Sequence, residues 1–96
     1  MYAVIFKAKV KQLDKEYAST AERMYELAFK EYGCVNFSAA SENGQEIAIS
    51  YWNSLDDIKR WKANSEHQSA QKLGQEKWYE SYEVEVVEIK RSYKSH

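Results

Sequence analysis

The dipeptide Asn43-Gly44 lies between two short runs of strand-forming residues. Both positions accept a positive φ, which the tight turns of β-hairpins require, and Asn-Gly is the strongest short signal for such a turn. The weak strand pattern of residues 34–41 and the stronger pattern of residues 47–52 are therefore expected to pair as antiparallel strands. The middle of the chain thus predicts an antiparallel sheet.

Strand and helix patterns also precede this hairpin. Residues 2–10 alternate with a period of two and predict a first strand. Asp14 is expected to be the N-cap of a first helix, which Gly33 ends. The apolar residues of that helix fall on one stripe: Tyr17, Ala21, Met24, Leu27 and Ala28.

Two more helices are expected after the hairpin. Ser54 is a suitable N-cap for a short helix, and its inner face carries Leu55, Ile58 and Trp61. Ser65 and Gln68 form a capping-box pattern, which predicts a second helix running to about residue 79.

The order β-α-β-β-α-α-β predicts an α+β fold, with a ferredoxin-like four-stranded antiparallel sheet and helices on one face. Residues 82–91 form its last strand, but Val84 and Val86 are in one phase and Val87 and Ile89 in the other. Either a bulge interrupts this strand or both of its faces are covered. The first strand is also apolar on both faces, so we expect a homodimer formed through the open sheet face.

The composition argues against several classes of protein. With 96 residues, no proline and three glycines, the chain is expected to form one domain over residues 1–96, with 92–96 as a loose tail. A net charge of −1 argues against nucleic-acid binding. One cysteine and two histidines argue against a disulfide framework and a metal centre. No segment approaches the ~20 apolar residues of a membrane span, so a cytoplasmic protein is expected.

Four segments in the second half carry a family pattern: Ser50-Tyr51-Trp52-Asn53-Ser54, Ile58-x-x-Trp61-Lys62, Glu66-His67-x-x-Ala70-Gln71-x-x-Gly74 and Trp78-Tyr79-x-x-Tyr82. With them the chain resembles the antibiotic biosynthesis monooxygenase domain family, and most of all its small stand-alone bacterial members. The resemblance implies a dimeric α/β barrel with a pocket in each subunit between sheet and helices. It also implies oxidation of a small aromatic phenol, quinol or anthrone by dioxygen without a cofactor.

A related branch of this family degrades heme, and the residues disfavour that branch here. It relies on an Asn in the first strand, a Trp on the short helix and a His ten residues later. Trp61 matches the tryptophan, but Gln71 stands where the histidine belongs and residues 2–10 contain no Asn. The proximal iron ligand is therefore missing.

His67 is the expected catalytic base, since it is the only histidine inside the chain. Near the start of a helix the positive end of the dipole favours neutral imidazole, the form that a base needs. In the alternative interpretation His67 is structural and packs on Trp61.

Six further residues are candidates for contact with an aromatic substrate. Trp52 and Trp61 each offer an indole N–H and a flat apolar face, although Trp61 also fits core packing. Tyr51 points away from Trp52 on its strand, so one of the two faces the helices and the other faces the barrel interior or the partner subunit. Three more candidates could line the same pocket: Asn64, Phe37 and Tyr32.

The sequence therefore predicts a cofactor-independent monooxygenase, with no cofactor or metal and a small aromatic substrate. No Gly-rich phosphate loop, Cys-x-x-Cys or His-Glu-x-x-His motif is present in the sequence. The alternative is a non-catalytic ligand-binding or stress-response dimer, in which the same aromatic residues hold a ligand without oxidising it.

Overall fold

The computed structural model describes residues 1–95. Its elements are β1 (Tyr2–Val10), α1 (Lys15–Glu31), β2 (Asn36–Glu42), β3 (Gln45–Trp52), α2 (Leu55–Ala63), α3 (Ser65–Leu73), a π-helical turn (Gly74–Trp78) and β4 (Tyr79–Glu88). The predicted α+β class and the order of the elements are confirmed.

The strands form one four-stranded antiparallel sheet in the order β2-β3-β1-β4. Asn43 and Gly44 both have a positive φ, of 51° and 78°, as the β2-β3 hairpin requires. The backbone N–H of Val10, at the end of β1, donates to the Gly44 carbonyl at 2.8 Å. The hairpin predicted from Asn43-Gly44 is confirmed, and it is joined to the neighbouring strand.

The core lies between the sheet and the helices. It consists of Val4, Ala28, Cys34, Trp52, Ile58 and Trp61, with further aromatic side chains packed around it. Trp52 and Leu27 are its largest fully buried side chains. On the other side of the sheet, Ile47 and Val87 are 39% and 36% exposed, so the chain leaves an apolar sheet face uncovered.

The N-cap of α3 differs from the sequence prediction. Asn64 is the cap rather than Ser65, because its Oδ1 accepts the backbone N–H groups of Glu66 at 2.8 Å and of His67 at 3.2 Å. Asn64 also ends α2, and its extended backbone (φ −63°, ψ 134°) lets one residue serve both helices. Ser65 is the first helical residue.

The end of the helical region also differs. Helix α3 ends at Leu73, a π-helical turn follows, and β4 begins at Tyr79 instead of near residue 82. A bulge is present, but it lies where Val10 pairs with Tyr79 and Lys9 with Ser81, which leaves Glu80 as the extra residue. From Tyr82 to Glu88 the pairing with β1 is unbroken, so Val84 and Val87 lie on opposite faces of the sheet.

Residues 89–95 form no helix or strand. The backbone N–H of Ile89 donates to the Met1 carbonyl at 3.0 Å. The predicted loose tail of residues 92–96 includes His96, which lies outside the described residues. Within residues 1–95, no helix has both the length and the apolar character that a membrane crossing needs.

Candidate functional site

A cavity of about 210 Å³ lies between the helix face of the sheet and helices α1 and α3. Its wall is mainly aromatic and small apolar side chains. The apolar stripe predicted for α1 divides here: Leu27 and Ala28 are buried in the core, whereas the three residues nearer the start of the helix, Tyr17, Ala21 and Met24, line the cavity. The first helix therefore builds both the core and the cavity wall.

At one end of the cavity three rings pack in a row. His67 and Trp61 both line the cavity, and their ring centroids are 4.3 Å apart. Behind them, the ring of Trp52 lies 5.0 Å from that of Trp61. Because Trp52 is the last residue of β3, this group marks the end of the sheet farthest from the β2-β3 hairpin.

Burial keeps the His67 ring neutral. The side chain is 9% exposed, and removal from water lowers its pKa to about 4, with a further contribution from the positive charge of Lys62. Lys62 also lines the cavity. At neutral pH the imidazole therefore carries no charge and has one nitrogen free to accept a proton.

Two nitrogen atoms at this end of the cavity are buried without a hydrogen bond within residues 1–95. They are Nε1 of Trp61 and Nδ1 of His67. A buried polar group without a partner costs free energy that a ligand can recover by supplying the partner. These adjacent rings therefore have unused hydrogen-bonding capacity next to an apolar cavity.

The other candidate residues are not all at the cavity. Phe37 lines it, together with Trp61 and His67. Trp52 is fully buried behind the wall, where its Nε1 donates to Ser50 Oγ at 2.8 Å. It is Trp52 that faces the helices, so Tyr51 lies on the open face of the sheet.

Asn64 and Tyr32 lie together but outside the cavity wall. Asn64 Nδ2 donates to the Tyr32 hydroxyl at 3.0 Å, while Asn64 Oδ1 caps α3. The polar atoms of Asn64 thus connect α1 to the junction between α2 and α3. They position the start of the helix that carries His67.

The opposite end of the cavity has a polar group that the sequence pattern does not reveal. It consists of the hydroxyls of Tyr17 and Tyr79 and the carboxylate of Glu46, which come from α1, β4 and β3. These residues are far apart in the chain, and only the pairing of the strands and the packing of α1 bring them together. Tyr17 fits the apolar stripe of its helix, so its polar function gives no separate sequence signal.

Tyr79 reaches the cavity because of a β-bulge and a glycine. Tyr79 and Tyr82 are three residues apart and would face opposite sides of a regular strand, but the extra residue Glu80 brings both to the cavity side. Gly74 leaves room for the ring, since a Cβ atom there would lie 2.7 Å from Tyr79 Cε2.

The possible metal ligands of the chain are its His, Cys, Asp and Glu side chains. Across residues 1–95, no group of three or more His, Cys, Asp or Glu side chains is arranged to hold an ion. Cys34 is a buried free thiol whose Sγ donates to the Asn36 carbonyl at 3.2 Å, and burial raises the pKa of this thiol. Cys34 thus packs as a small core residue.

Comparison with known proteins gives the family. No protein-family model matches the chain. The chain is 42% identical over 91 residues to YqjZ of Bacillus subtilis, a protein described as uncharacterized, and the match covers 94% of this chain and 80% of YqjZ. The chain belongs to the YqjZ family.

Solved structures extend this result to the fold of the YqjZ family. SnoaB, a cofactor-independent oxygenase from Streptomyces nogalater, superposes with a TM-score of 0.79 at 14% identity, covering 95% of this chain and 94% of SnoaB. A crystal structure of an antibiotic biosynthesis monooxygenase gives 0.75 at 14% identity, covering 93% and 98%. The fold is therefore that of the antibiotic biosynthesis monooxygenases, as the sequence resemblance predicts.

Proposed function

We propose that this protein is a cofactor-independent monooxygenase that oxidises a phenol, quinol or anthrone with dioxygen. The observation that carries the proposal is the pair formed by His67 and Trp61, two adjacent buried rings on a cavity wall, each with a nitrogen that has no hydrogen bond within residues 1–95. The fold shared with SnoaB supports the same reaction class.

In the proposed reaction the substrate supplies the electrons. Neutral His67 takes a proton from the phenol or from the activated C–H group, and the resulting anion reduces dioxygen. For an anthrone, the CH₂ group becomes a carbonyl: one oxygen atom enters the substrate and the other leaves as water with the two hydrogens. The atoms and electrons of the reaction therefore balance with substrate and dioxygen alone.

Charge at the His67 end favours the anion that this step forms. Lys62 supplies a positive charge to the cavity, and the N–H of Trp61 offers a hydrogen bond to a developing oxyanion. The low pKa of His67 rises when an anion forms beside the ring, because opposite charge stabilises the imidazolium. The base therefore gains strength at the moment when it accepts the proton.

The proposal includes a homodimer. The open sheet face carries Ile5, Ile47, Ile49, Tyr51 and Val87, which no helix of the described chain covers. Soluble monomers rarely expose a contiguous apolar patch of this kind. A second copy packed face to face through these residues buries them and closes the two sheets into a barrel.

Oxygen uptake tests the reaction. Metal-stripped protein is mixed with dithranol, an anthrone, and uptake is compared with a protein-free blank because anthrones autoxidise. We expect uptake above the blank that falls by about ten-fold to ten-thousand-fold in His67→Ala, the usual range for loss of a catalytic base. His96→Ala is the matched control, since it removes the only other histidine.

The outcomes separate the alternatives. Uptake that persists in His67→Ala removes this residue from the mechanism but leaves the oxygenase. Dithranol binding without any uptake above the blank contradicts the oxygenase and favours the non-catalytic ligand-binding dimer.

A further inference from the structure

The cavity has two polar ends that lie far apart along β3. Glu46 and Ser50 both line it from the same face of this strand. Four residues of strand span about 13 Å. The His67 and Trp61 pair packs beyond Ser50, against Trp52 at the end of β3, whereas Glu46 is next to the hairpin. A ligand that fills the cavity along the strand thus reaches both ends.

The polar group at the hairpin end consists of two tyrosine side chains and a carboxylate that line the cavity together. The rings of Tyr17 and Tyr79 meet edge to face with centroids 6.1 Å apart, and Glu46 accepts the Ser41 hydroxyl. Burial raises the pKa of both tyrosines, with the neighbouring Glu46 charge acting in the same direction. Both phenols therefore keep their protons at neutral pH.

This arrangement offers acceptors to the cavity. The Glu46 carboxylate can accept a hydrogen bond from a ligand, and each tyrosine oxygen can accept one as well. An ionised carboxylate only accepts hydrogen bonds, and a bond to a charged acceptor is stronger than a neutral one. The ligand group that matches this end is a hydrogen-bond donor on an aromatic frame, which is a phenolic hydroxyl.

Neighbouring contacts hold this group in place. Trp78 Nε1 donates to Asp14 Oδ1 at 3.1 Å, and the same atom accepts the backbone N–H of Tyr17 at 2.9 Å. The rings of Tyr17 and Trp78 meet edge to face with centroids 5.1 Å apart. The start of α1 and the π-helical turn before Tyr79 are thus fixed to each other, so the two phenols are positioned before any ligand arrives.

We propose that Tyr17, Tyr79 and Glu46 form a second recognition site of the cavity, which binds a phenolic hydroxyl at the end of the substrate remote from His67. The substrate class is then an elongated polyphenol of about three linear rings with a hydroxyl at each end. The inference rests on the proposed function for its aromatic substrate, and it adds the length and the substitution pattern.

Binding of quinones tests this site without any turnover. Anthraflavic acid is a linear three-ring quinone with a hydroxyl at each end, and 2-hydroxyanthraquinone lacks one of them. Both are already oxidised, and at pH 6 their hydroxyls are largely protonated while His67 stays neutral. Quenching of the fluorescence of Trp61 and Trp78, which line the cavity, measures the affinity.

The second hydroxyl is expected to tighten binding by about ten-fold in the native protein. We expect Glu46→Leu to abolish this difference between the two quinones, and Tyr79→Phe to reduce it. Glu22→Leu and Tyr25→Phe are the matched controls on α1, because neither residue lines the cavity, and both are expected to keep the full difference. Near-ultraviolet circular dichroism checks that each variant is folded.

Three results would overturn the inference: equal affinity of the native protein for both quinones, a difference that survives in Glu46→Leu, or no binding of either quinone. None of these depends on oxygen uptake. A protein that consumes oxygen with dithranol but does not distinguish the two quinones loses the second site and keeps the proposed function. A protein that distinguishes them without consuming oxygen keeps the second site alone.

Discussion

At the scale of single residues, the neighbouring rings of Trp52 and Trp61 separate core from cavity. The Trp52 N–H donates to Ser50 and the ring is fully buried, so this side chain is part of the packing. The Trp61 N–H has no partner within residues 1–95, and its ring touches His67 at the cavity. The wall of the cavity is therefore one ring thick at this point, with the core directly behind it.

The neutral state of His67 makes stability depend on pH. Its folded pKa of about 4 is below the unfolded value of 6.5, so the unfolded chain binds the proton first as the pH falls. The contribution of neutral His67 to the unfolding free energy is fully present above pH 6.5 and is lost as the pH falls toward 4. Between pH 8 and pH 5 this one group is expected to cost about 2 kcal/mol of unfolding free energy.

Urea unfolding at pH 8 and pH 5 measures this loss in the native protein and in His67→Phe. The phenyl ring retains an aromatic contact with Trp61 and removes the titrating group. We expect the variant to lose about 2 kcal/mol less than the native protein between the two pH values. His96 is present in both proteins and cancels. An equal loss in both would show that the folded pKa of His67 is not depressed.

The residues of the His67 end could be predicted from the sequence, and those of the hairpin end could not. His67 and Trp61 belong to one local motif on consecutive helices, so their spacing already brings them together. Tyr17, Glu46 and Tyr79 come from three elements, and their contact depends on strand register and on a bulge. Trp52 and Trp61 have the same chemistry, and only the packing shows which one forms the wall.

At the scale of elements, Asp14 joins the beginning of α1 to the end of the helical region. One carboxylate oxygen caps the helix through Tyr17 and accepts the indole N–H of buried Trp78. Lys77 and Glu16 add a surface ion pair at 2.9 Å across the same contact. The N-cap predicted from the sequence is confirmed. The second contact of Asp14 is with Trp78, which is 64 residues away in the chain, so no local sequence pattern predicts it.

Removal of this carboxylate tests the double contact. Asp14→Ala is expected to lower the unfolding free energy by about 2–3 kcal/mol, because a cap is lost and the N–H of Trp78 stays buried without a partner. Ser54→Ala is the matched control, since the Ser54 hydroxyl caps α2 only, and about 1 kcal/mol is expected there. Asp14→Asn keeps an acceptor oxygen and should retain most of the stability.

Chemical denaturation of the four proteins gives these differences directly. If Asp14→Ala and Ser54→Ala prove equally destabilised, the bond to Trp78 contributes nothing to the stability of the fold.

Most of the helices and strands could be predicted from sequence periodicity, because apolar spacing differs between strands and helices. The π-helical turn and the early start of β4 do not follow from it, because the pairing of Tyr79 with Val10 depends on the register between β4 and β1.

At the scale of the whole molecule, the two faces of the sheet have different environments. One face packs against the helices and encloses the cavity, while the other carries Ile5, Ile49 and Tyr51 in neighbouring positions of the two central strands. Charged side chains also lie on this face: Lys7, opposite Ile47, forms an ion pair at 3.7 Å with Glu85, which is opposite Ile5. The open face thus has an apolar centre with an ion pair beside it.

A lysine at the apolar centre of the open face tests the homodimer. The native protein is expected to sediment as a species of about twice 11.3 kDa, and Ile49→Lys as a monomer, because each dimer would bury two unpaired charges in the interface. Ala63→Lys is the matched control: it adds the same charge at an exposed position of α2, away from the sheet, and should leave the dimer intact.

Sedimentation velocity over a hundred-fold range of concentration separates a stable dimer from weak association. A native protein that remains monomeric throughout contradicts the barrel, and dissociation of Ala63→Lys as well would assign the effect to net charge instead of the apolar face. Monomeric Ile49→Lys is also informative about the cavity. The cavity lies on the other face of the sheet, so quinone binding by the monomer is expected to persist if the partner contributes no residue to either polar end.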